Sequence, residues 1–212
     1  MDTGERDLRI KISRTAKSLF DRGLTSGSSG NMSVRFGEGW LMTPTGSTFG
    51  DLAPERISLL DSNGDLVSGD PPTKESFLHM AIYRQRPQAG AVVHLHSLHS
   101  VAVSCLADID PENVLPPITA YYVMKIGRLP LIPYFPPGDP DLAGAVEERA
   151  AMHRAVMLAN HGPVVSGKNL DDAVYAAEEL EDTAKLYLLL HNRPVRYLTE
   201  DQVTELSSRF PS

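Results

Sequence analysis

Cysteine is almost absent from this sequence. Cys105 stands alone among 212 residues, which excludes an internal disulfide and any zinc site built from several cysteines of one chain. Long hydrophobic runs are missing as well. No stretch approaches the roughly 18 uncharged apolar residues that a membrane span requires. Residues 1–14 mix acidic and basic side chains without an apolar core, so no signal peptide is expected and the cytoplasm is the default location. Positive charge is scarce too. The 27 Asp and Glu outnumber the 20 Lys and Arg, and the net charge of −7 has the wrong sign for a non-specific nucleic-acid binder. A phosphate pocket needs only one or two cations, so that class of ligand stays open. The 16 glycines and 16 prolines are scattered rather than clustered, which excludes collagen-like and low-complexity chains.

What is present fits a soluble globular domain. Hydrophobic residues make up 42% of the chain and charged residues 22%. A chain of this length buries roughly 70% of its unfolded surface and needs no cross-links. Without an internal repeat or long linker, residues 1–212 are expected to form one domain.

Leu8, Ile12, Ala16, Leu19 and Phe20 recur at near-helical spacing, so a helix is expected over residues 6–22, ended by Gly23. After the Ser/Gly stretch at 25–30, two short strands are expected at 31–36 and 40–43 and a further hairpin at 57–60 and 65–68. Pro71-Pro72 introduces a helix over 73–84 with Thr73 as its N-cap. A buried strand follows at 91–96, then a helix through Leu106. Residues 112–138 are proline-rich and read as irregular, with a strand near Leu131. A helix is expected at 141–151, strands at 155–158 and 163–166, and a long last helix capped by Asn169. This mixture without strict alternation points to an α/β domain, three layers thick, with a central and largely antiparallel sheet.

The strongest chemical signal is Val92-Val93-His94-Leu95-His96. Residues two apart on a strand share a face, so His94 and His96 project together, as two ligands of one metal would. In isolation, two hydrogen-bonded histidines at a strand end explain the pattern equally well. His161, in the tight turn Asn160-His161-Gly162, tips the balance. Three histidines suit a divalent metal with open coordination positions, zinc first, with manganese, cobalt or iron allowed by ligand type. Glu75, expected in the first turn of its helix, is by itself an ordinary dipole-complementing acid, and Lys74 by itself a solvated charge. The turns Gly30-Asn31 and Thr45-Gly46 offer donors to an anion, although each alone is only a tight turn. His79, His153 and His191 read as structural, and His99 as a neighbour of the metal strand.

Together these residues resemble the class II aldolase/adducin family. The stretches that carry the resemblance are Gly30-Asn31-Met32-Ser33-Val34-Arg35, Thr43-Pro44-Thr45-Gly46, Thr73-Lys74-Glu75, Ala91-Val92-Val93-His94-Leu95-His96 and Ala159-Asn160-His161-Gly162, in order between residues 7 and 199. The resemblance implies one divalent metal per subunit, usually zinc, held by His94, His96 and His161. It implies Glu75 as the acid/base residue, and a substrate phosphate near Gly30, Asn31, Thr45, Gly46 and Thr73; Lys74, as a point charge, is a candidate to hold phosphate or carboxylate. It further implies a homotetramer with sites at subunit interfaces; separately, Tyr121 or Tyr122 is a candidate to donate a hydrogen bond across the site. No nucleic-acid or membrane partner is expected.

Fuculose-phosphate aldolases carry Ser-Ser-Glu where this chain has Thr73-Lys74-Glu75. The chain is more similar to the 3-oxo-tetronate 4-phosphate decarboxylases of the family, in Ser68-Gly69-Asp70, in Ala159 to Val165 and in Arg193 to Thr199. That similarity implies a carbon–carbon lyase of sugar-acid catabolism, which releases CO2 through an enediolate and leaves dihydroxyacetone phosphate. Aldol cleavage of a sugar phosphate, or 4-epimerisation of a ribulose phosphate, uses the same kind of intermediate and is the alternative. A non-catalytic module of the adducin kind would lack the ligands, and here all four are present.

Overall fold

The computed structural model describes residues 3–136 and 138–210. Its centre is an eight-stranded sheet in the order β4-β3-β2-β1-β5-β8-β7-β6. The strands are β1 (Asn31–Phe36), β2 (Gly39–Met42), β3 (Ser58–Leu60), β4 (Leu66–Ser68), β5 (Ala91–His94), β6 (Leu131–Ile132), β7 (Ala155–Leu158) and β8 (Gly162–Gly167). All neighbours pair antiparallel except β6 and β7. The helices are α1 (Thr3–Asp21), α2 (Ser76–Gln85), α3 (Leu98–Ser104), α4 (Ala120–Lys125), α5 (Asp141–Ala150), α6 (Leu170–Leu189) and α7 (Glu200–Arg209).

Strand alternation builds the three layers. Ala91, Val93, Met157 and Val165 face a core shared with Ile12 and Leu19 of α1, Val103 of α3 and Leu180 of α6. Val92, Val156 and Val164 face the opposite core, with Leu78 and Ile82 of α2 and Val146 of α5. Adjacent residues of one strand therefore serve different cores, as the period of two requires. This is the expected three-layer, largely antiparallel architecture.

Four local expectations are corrected. First, α1 begins at Thr3, because Glu5 is held by Arg9 at 2.8 Å. The buried guanidinium of Arg9 also reaches the Ile57 carbonyl and the Ser68 hydroxyl, tying α1 to the β3–β4 hairpin. Second, the 73–84 helix begins only at Ser76, and Thr73 is not its N-cap. The Thr73 N–H donates to the Thr43 carbonyl and the Thr45 N–H to the Pro71 carbonyl, so residues 71–73 stay extended beside the Thr43–Gly46 turn. Third, the proline-rich segment contains α4, capped by Thr119. Fourth, α6 is not the last helix. A capping box at Thr199 and Gln202 starts α7, which packs beside α4.

Candidate metal centre and substrate cleft

The histidines converge where β5 and β8 meet a turn. β5 ends at His94, two residues earlier than expected, so His94 and His96 do not share one regular strand. They converge nonetheless, with Nε2 atoms 3.0 Å apart. His161 arrives from the β7–β8 turn, its Nε2 3.2 Å from that of His94 and 3.1 Å from that of His96. The turn is tight because Asn160 adopts a left-handed φ of 57° and Gly162 lies against the Leu95 carbonyl. A Cβ at Gly162 would stand 2.6 Å from that oxygen, so only glycine fits.

Glu75 completes the group. Its Oε1 lies 3.3 Å from His161 Nε2 and its Oε2 3.6 Å from His94 Nε2. It occupies the N-cap position of α2 rather than the first turn, and its side chain makes no cap hydrogen bond. The carboxylate is therefore free of the helix and aimed at the histidines. All four ligand atoms lie within 4.8 Å of one another.

The protonation states suit a cation. His94 Nδ1 is 2.8 Å from the Pro163 carbonyl and donates to it, so Nε2 carries the lone pair. Burial pulls His94 below its ordinary value. Burial also brings His96 down to about 4, helped by the charges of His94 and His161. Burial opposes ionisation of Glu75, but the hydrogen bond from His161, the charge of His94 and the Asn31 amide together hold it well below the carboxylate range. Three imidazole Nε2 atoms at 3.0–3.2 Å from one another, with a carboxylate beside them, form a set of donors that one shared cation would satisfy together. Nitrogens about 2.0–2.1 Å from one zinc ion would show separations of this size. The residues present therefore fit a divalent metal, with His94, His96 and His161 as its holders and Glu75 beside them.

A buried relay stands behind Glu75. Asn31 Nδ2 donates to Glu75 Oε2 at 2.7 Å, and Asn31 Oδ1 lies 2.6 Å from His79 Nε2. His79 Nδ1 lies 2.7 Å from Ser33 Oγ, which is 2.9 Å from the Tyr83 hydroxyl. An ionised carboxylate only accepts, which fixes the direction of every bond in the chain. The Asn31 amide must point Nδ2 at Glu75, His79 must carry its proton on Nε2, and Ser33 must donate to Nδ1. Burial brings His79 down to about 3, so it is neutral in this role. His79 is thus structural, as expected, yet its hydrogen bonds reach the candidate acid/base through one amide. The Asn31 side chain, expected at the phosphate, is committed to Glu75 and His79 instead. The sequence signal was the spacing of four between Glu75 and His79.

The remaining expected residues line a cleft of about 400 Å³ beside Glu75 and His96. Gly30, Asn31, Thr45, Gly46, Thr73 and Lys74 all border it, brought together by the pairing of residues 71–73 with 43–45. Ser28 and Ser29 join them, and the sequence reading missed both. A Ser/Gly stretch ahead of Gly30 was the available signal. Lys74 is exposed and makes no ion pair among the described residues. Tyr121 is not brought to the histidines. It stands 66% exposed on α4, and Tyr122 is buried with its hydroxyl toward the Leu115 carbonyl. A second, wider cleft of about 650 Å³ opens on the other side of His96 and His161, walled by Leu98, Val101, Tyr134 and Phe135.

Glu181 of α6 was also missed as a positioning group. Its carboxylate accepts from the backbone N–H groups of His99 and Ser100, from Ser100 Oγ and from His99 Nδ1, at 2.7–2.9 Å. It thereby fixes the start of α3, two residues after His96, and gives His99 its partner.

The chain is similar to several known proteins. Residues 10–188 match the family described as Class II Aldolase and Adducin N-terminal domain. The 3-oxo-tetronate 4-phosphate decarboxylase of Escherichia coli strain K12 is 49% identical over 205 residues, 96% of this chain and 97% of that protein. The L-fuculose phosphate aldolase of the same strain is 35% identical, over 96% and 94% of the two chains. The crystal structure of YgbL from Escherichia coli superposes with a TM-score of 0.94 at 47% identity, covering 96% of this chain and 99% of that one. The chain belongs to the class II aldolase and adducin family.

Proposed function

We propose that this protein is a divalent-metal-dependent lyase that converts 3-oxo-tetronate 4-phosphate to dihydroxyacetone phosphate and CO2. The observation that carries the reading is the grouping of His94, His96, His161 and Glu75 within 4.8 Å, at the edge of a cleft bordered by Lys74 and glycine turns. The similarity to a decarboxylase across nearly the whole of both chains favours this substrate over a sugar phosphate.

A divalent ion, zinc by preference, would supply the Lewis acid for negative charge that develops on the substrate's C2 and C3 oxygens. The chain's own residues do the rest. Lys74, the Ser28–Gly30 loop and the Thr45-Gly46 turn bind the phosphate, with Thr73 at the same wall. When the C1–C2 bond breaks, its electron pair passes into the C3 carbonyl and CO2 leaves. The reaction consumes one proton at C2, and Glu75 is the carboxyl placed to deliver it. Anionic substrate entering beside Glu75 raises its proton affinity from the depressed value that His161, His94 and Asn31 impose. Asn31 holds Glu75 in place for this transfer.

The working form in this proposal is a cytoplasmic homotetramer. Tyr121 supports it, because a tyrosine so exposed, and not among the residues lining its own clefts, suits delivery to another subunit's cleft. Aldol cleavage is the second reading, favoured by the apolar cleft beside His161, which has room for an aldehyde fragment.

The test is dihydroxyacetone phosphate formation from 3-oxo-tetronate 4-phosphate, with chelator and after restoring metal. Product that vanishes with chelator and returns with zinc or manganese supports the reading. No product from protein that holds metal overturns it and turns attention to aldol cleavage of sugar 1-phosphates.

A further inference from the structure

The opposite end of the central strands holds a hollow that the metal centre does not use. β5 and β8 run antiparallel, with His94 paired to Val164 at one end and Ala91 to Gly167 at the other. Four residues of strand, about 13 Å, separate Gly90 from His94. Beyond Gly90 and Gly167 lies a cavity of about 310 Å³, bordered by Arg86, Lys125, Arg154 and Lys168, with Asp172 as the one carboxylate among its lining residues.

The charges there are not balanced. Asp172 pairs with Arg154 at 2.8 Å and stands 3.7 Å from Lys125. It also accepts the Lys168 backbone N–H. Arg154 spends its remaining contacts on the Ser166 carbonyl. The side chains of Arg86 and Lys168 have no carboxylate partner among the described residues, and the one hydrogen bond of the Arg86 guanidinium is a long 3.5 Å contact to the Ala150 carbonyl. Burial and the neighbouring Arg154 pull Arg86 below its ordinary value, the mark of a cation without compensation. A second small hollow, bordered by Arg86, Arg128, His153 and Arg154, adjoins it. Such a concentration of cations is unexpected in a chain of net charge −7. Half-buried guanidinium groups with free donors are the usual recognition elements for phosphate oxygens.

We infer that this hollow is a second anion site, built for a compact phosphate-bearing ligand and held by Arg86 and Lys168 with Lys125 and Arg154 at its wall. The concave shape and small volume favour a free phosphate or a small phosphorylated metabolite over a macromolecule. The inference does not depend on which reaction the metal centre performs.

Equilibrium dialysis of the metal-loaded protein against radiolabelled orthophosphate, at constant ionic strength, tests it. The wild type is expected to bind two phosphates per chain, one in each location. The R86Q/K168Q variant should lose one of them, with affinity there at least tenfold weaker, while Lys74→Ala should leave that site filled. Lys168 is exposed, so K168Q alone folds and should show a partial loss. In the Lys74→Ala background, 3-phosphoglycerate displacing the label at tenfold lower concentration than unlabelled phosphate would assign a phosphorylated metabolite, and equal displacement free phosphate. Unchanged phosphate binding in R86Q/K168Q overturns the proposal. So does a smaller sedimenting species with unchanged phosphate binding, which would give the hollow to a second copy of the chain. If the catalytic-cleft reading alone were wrong, Lys74→Ala would change nothing and R86Q/K168Q would still lose its phosphate.

Discussion

The wall and the rim of the candidate site are built on different principles. The wall is formed by the inward residues of β1 and β5 and by the start of α2, and its inward polar groups have fixed partners. Glu75, Asn31, His79, Ser33 and Tyr83 form one hydrogen-bonded line, and His94 is pinned by the Pro163 carbonyl. The rim, formed by Ser28, Gly46 and Lys74, faces the cleft with few internal partners, while Ser29 beside them is held by its own loop through Thr25 and Ser26. A wall so constrained suits proton transfer and metal holding, which need geometry held to fractions of an ångström. A rim with uncommitted donors suits recognition of an anion that brings its own acceptors. Variants on the two sides should therefore fail in different ways.

The largest effect is expected at Glu75. Glu75→Gln keeps the shape and the Asn31 contact but cannot carry a proton, so kcat should fall about 10²–10⁴-fold. Metal content, measured by atomic emission, should stay at one ion per chain. A variant that retained turnover would remove Glu75 from the chemistry and leave the wall as a metal cage alone. His161→Ala should instead lose both metal and activity, since a third imidazole is gone.

Lys74→Ala probes the rim. A hydrogen bond to a charged group contributes about 1.5–3 kcal/mol, so KM should rise roughly ten- to a hundredfold. Because Lys74 touches neither the histidines nor Glu75, kcat should change little. A fall in kcat with unchanged KM would break the division between wall and rim.

Asn31 lies on the border and sharpens it. Asn31→Asp replaces the donor facing Glu75 with a like charge, which raises the proton affinity of Glu75. The basic limb of the kcat profile, where Glu75 loses the proton it must deliver, should move to higher pH by about one unit, a tenfold gain above the limb. If Asn31 served only the phosphate, KM would rise and the limb would stay in place.

How far the site was legible in the sequence follows the same border. His94 and His96 were identifiable from their spacing of two, and His161 from its place in the tight turn Asn160-His161-Gly162. Glu75 was identified but misplaced, since the interaction that delays α2 pairs Thr73 with Thr43 across thirty residues of chain. The same kind of distance hid the true partner of Asn31, which lies 44 positions away at Glu75. In the fold, the mixture of short strands and helices gave the three layers, whereas α4 was obscured by the prolines around it. α7 was obscured by having no buried residue at all. Local periodicity reports burial, and elements stabilised by caps or long-range pairing leave little of it.

The smallest effect concerns stability, and it should come from the wall alone. His79 is fully buried, and burial takes it from an ordinary value near 6.5 to about 3. Between those values the unfolded chain binds a proton that the folded chain refuses, so stability is complete above about pH 6.5 and is lost as pH falls toward 3. The slope for one such group is at most about 1.4 kcal/mol per pH unit. His94 and His96, also lowered by burial, add terms of the same sign in metal-free protein. Urea unfolding of metal-free protein at pH 7, 6, 5 and 4 should therefore show a falling midpoint. His79→Gln keeps a donor for Asn31 without the titrating ring, and should flatten that fall by up to one group's share. Lys74→Ala should leave the slope as it is, because nothing on the rim is buried against its charge. Equal flattening in both variants would mean that acid acts through the whole surface rather than through the buried relay, and the separation of wall from rim would not extend to stability.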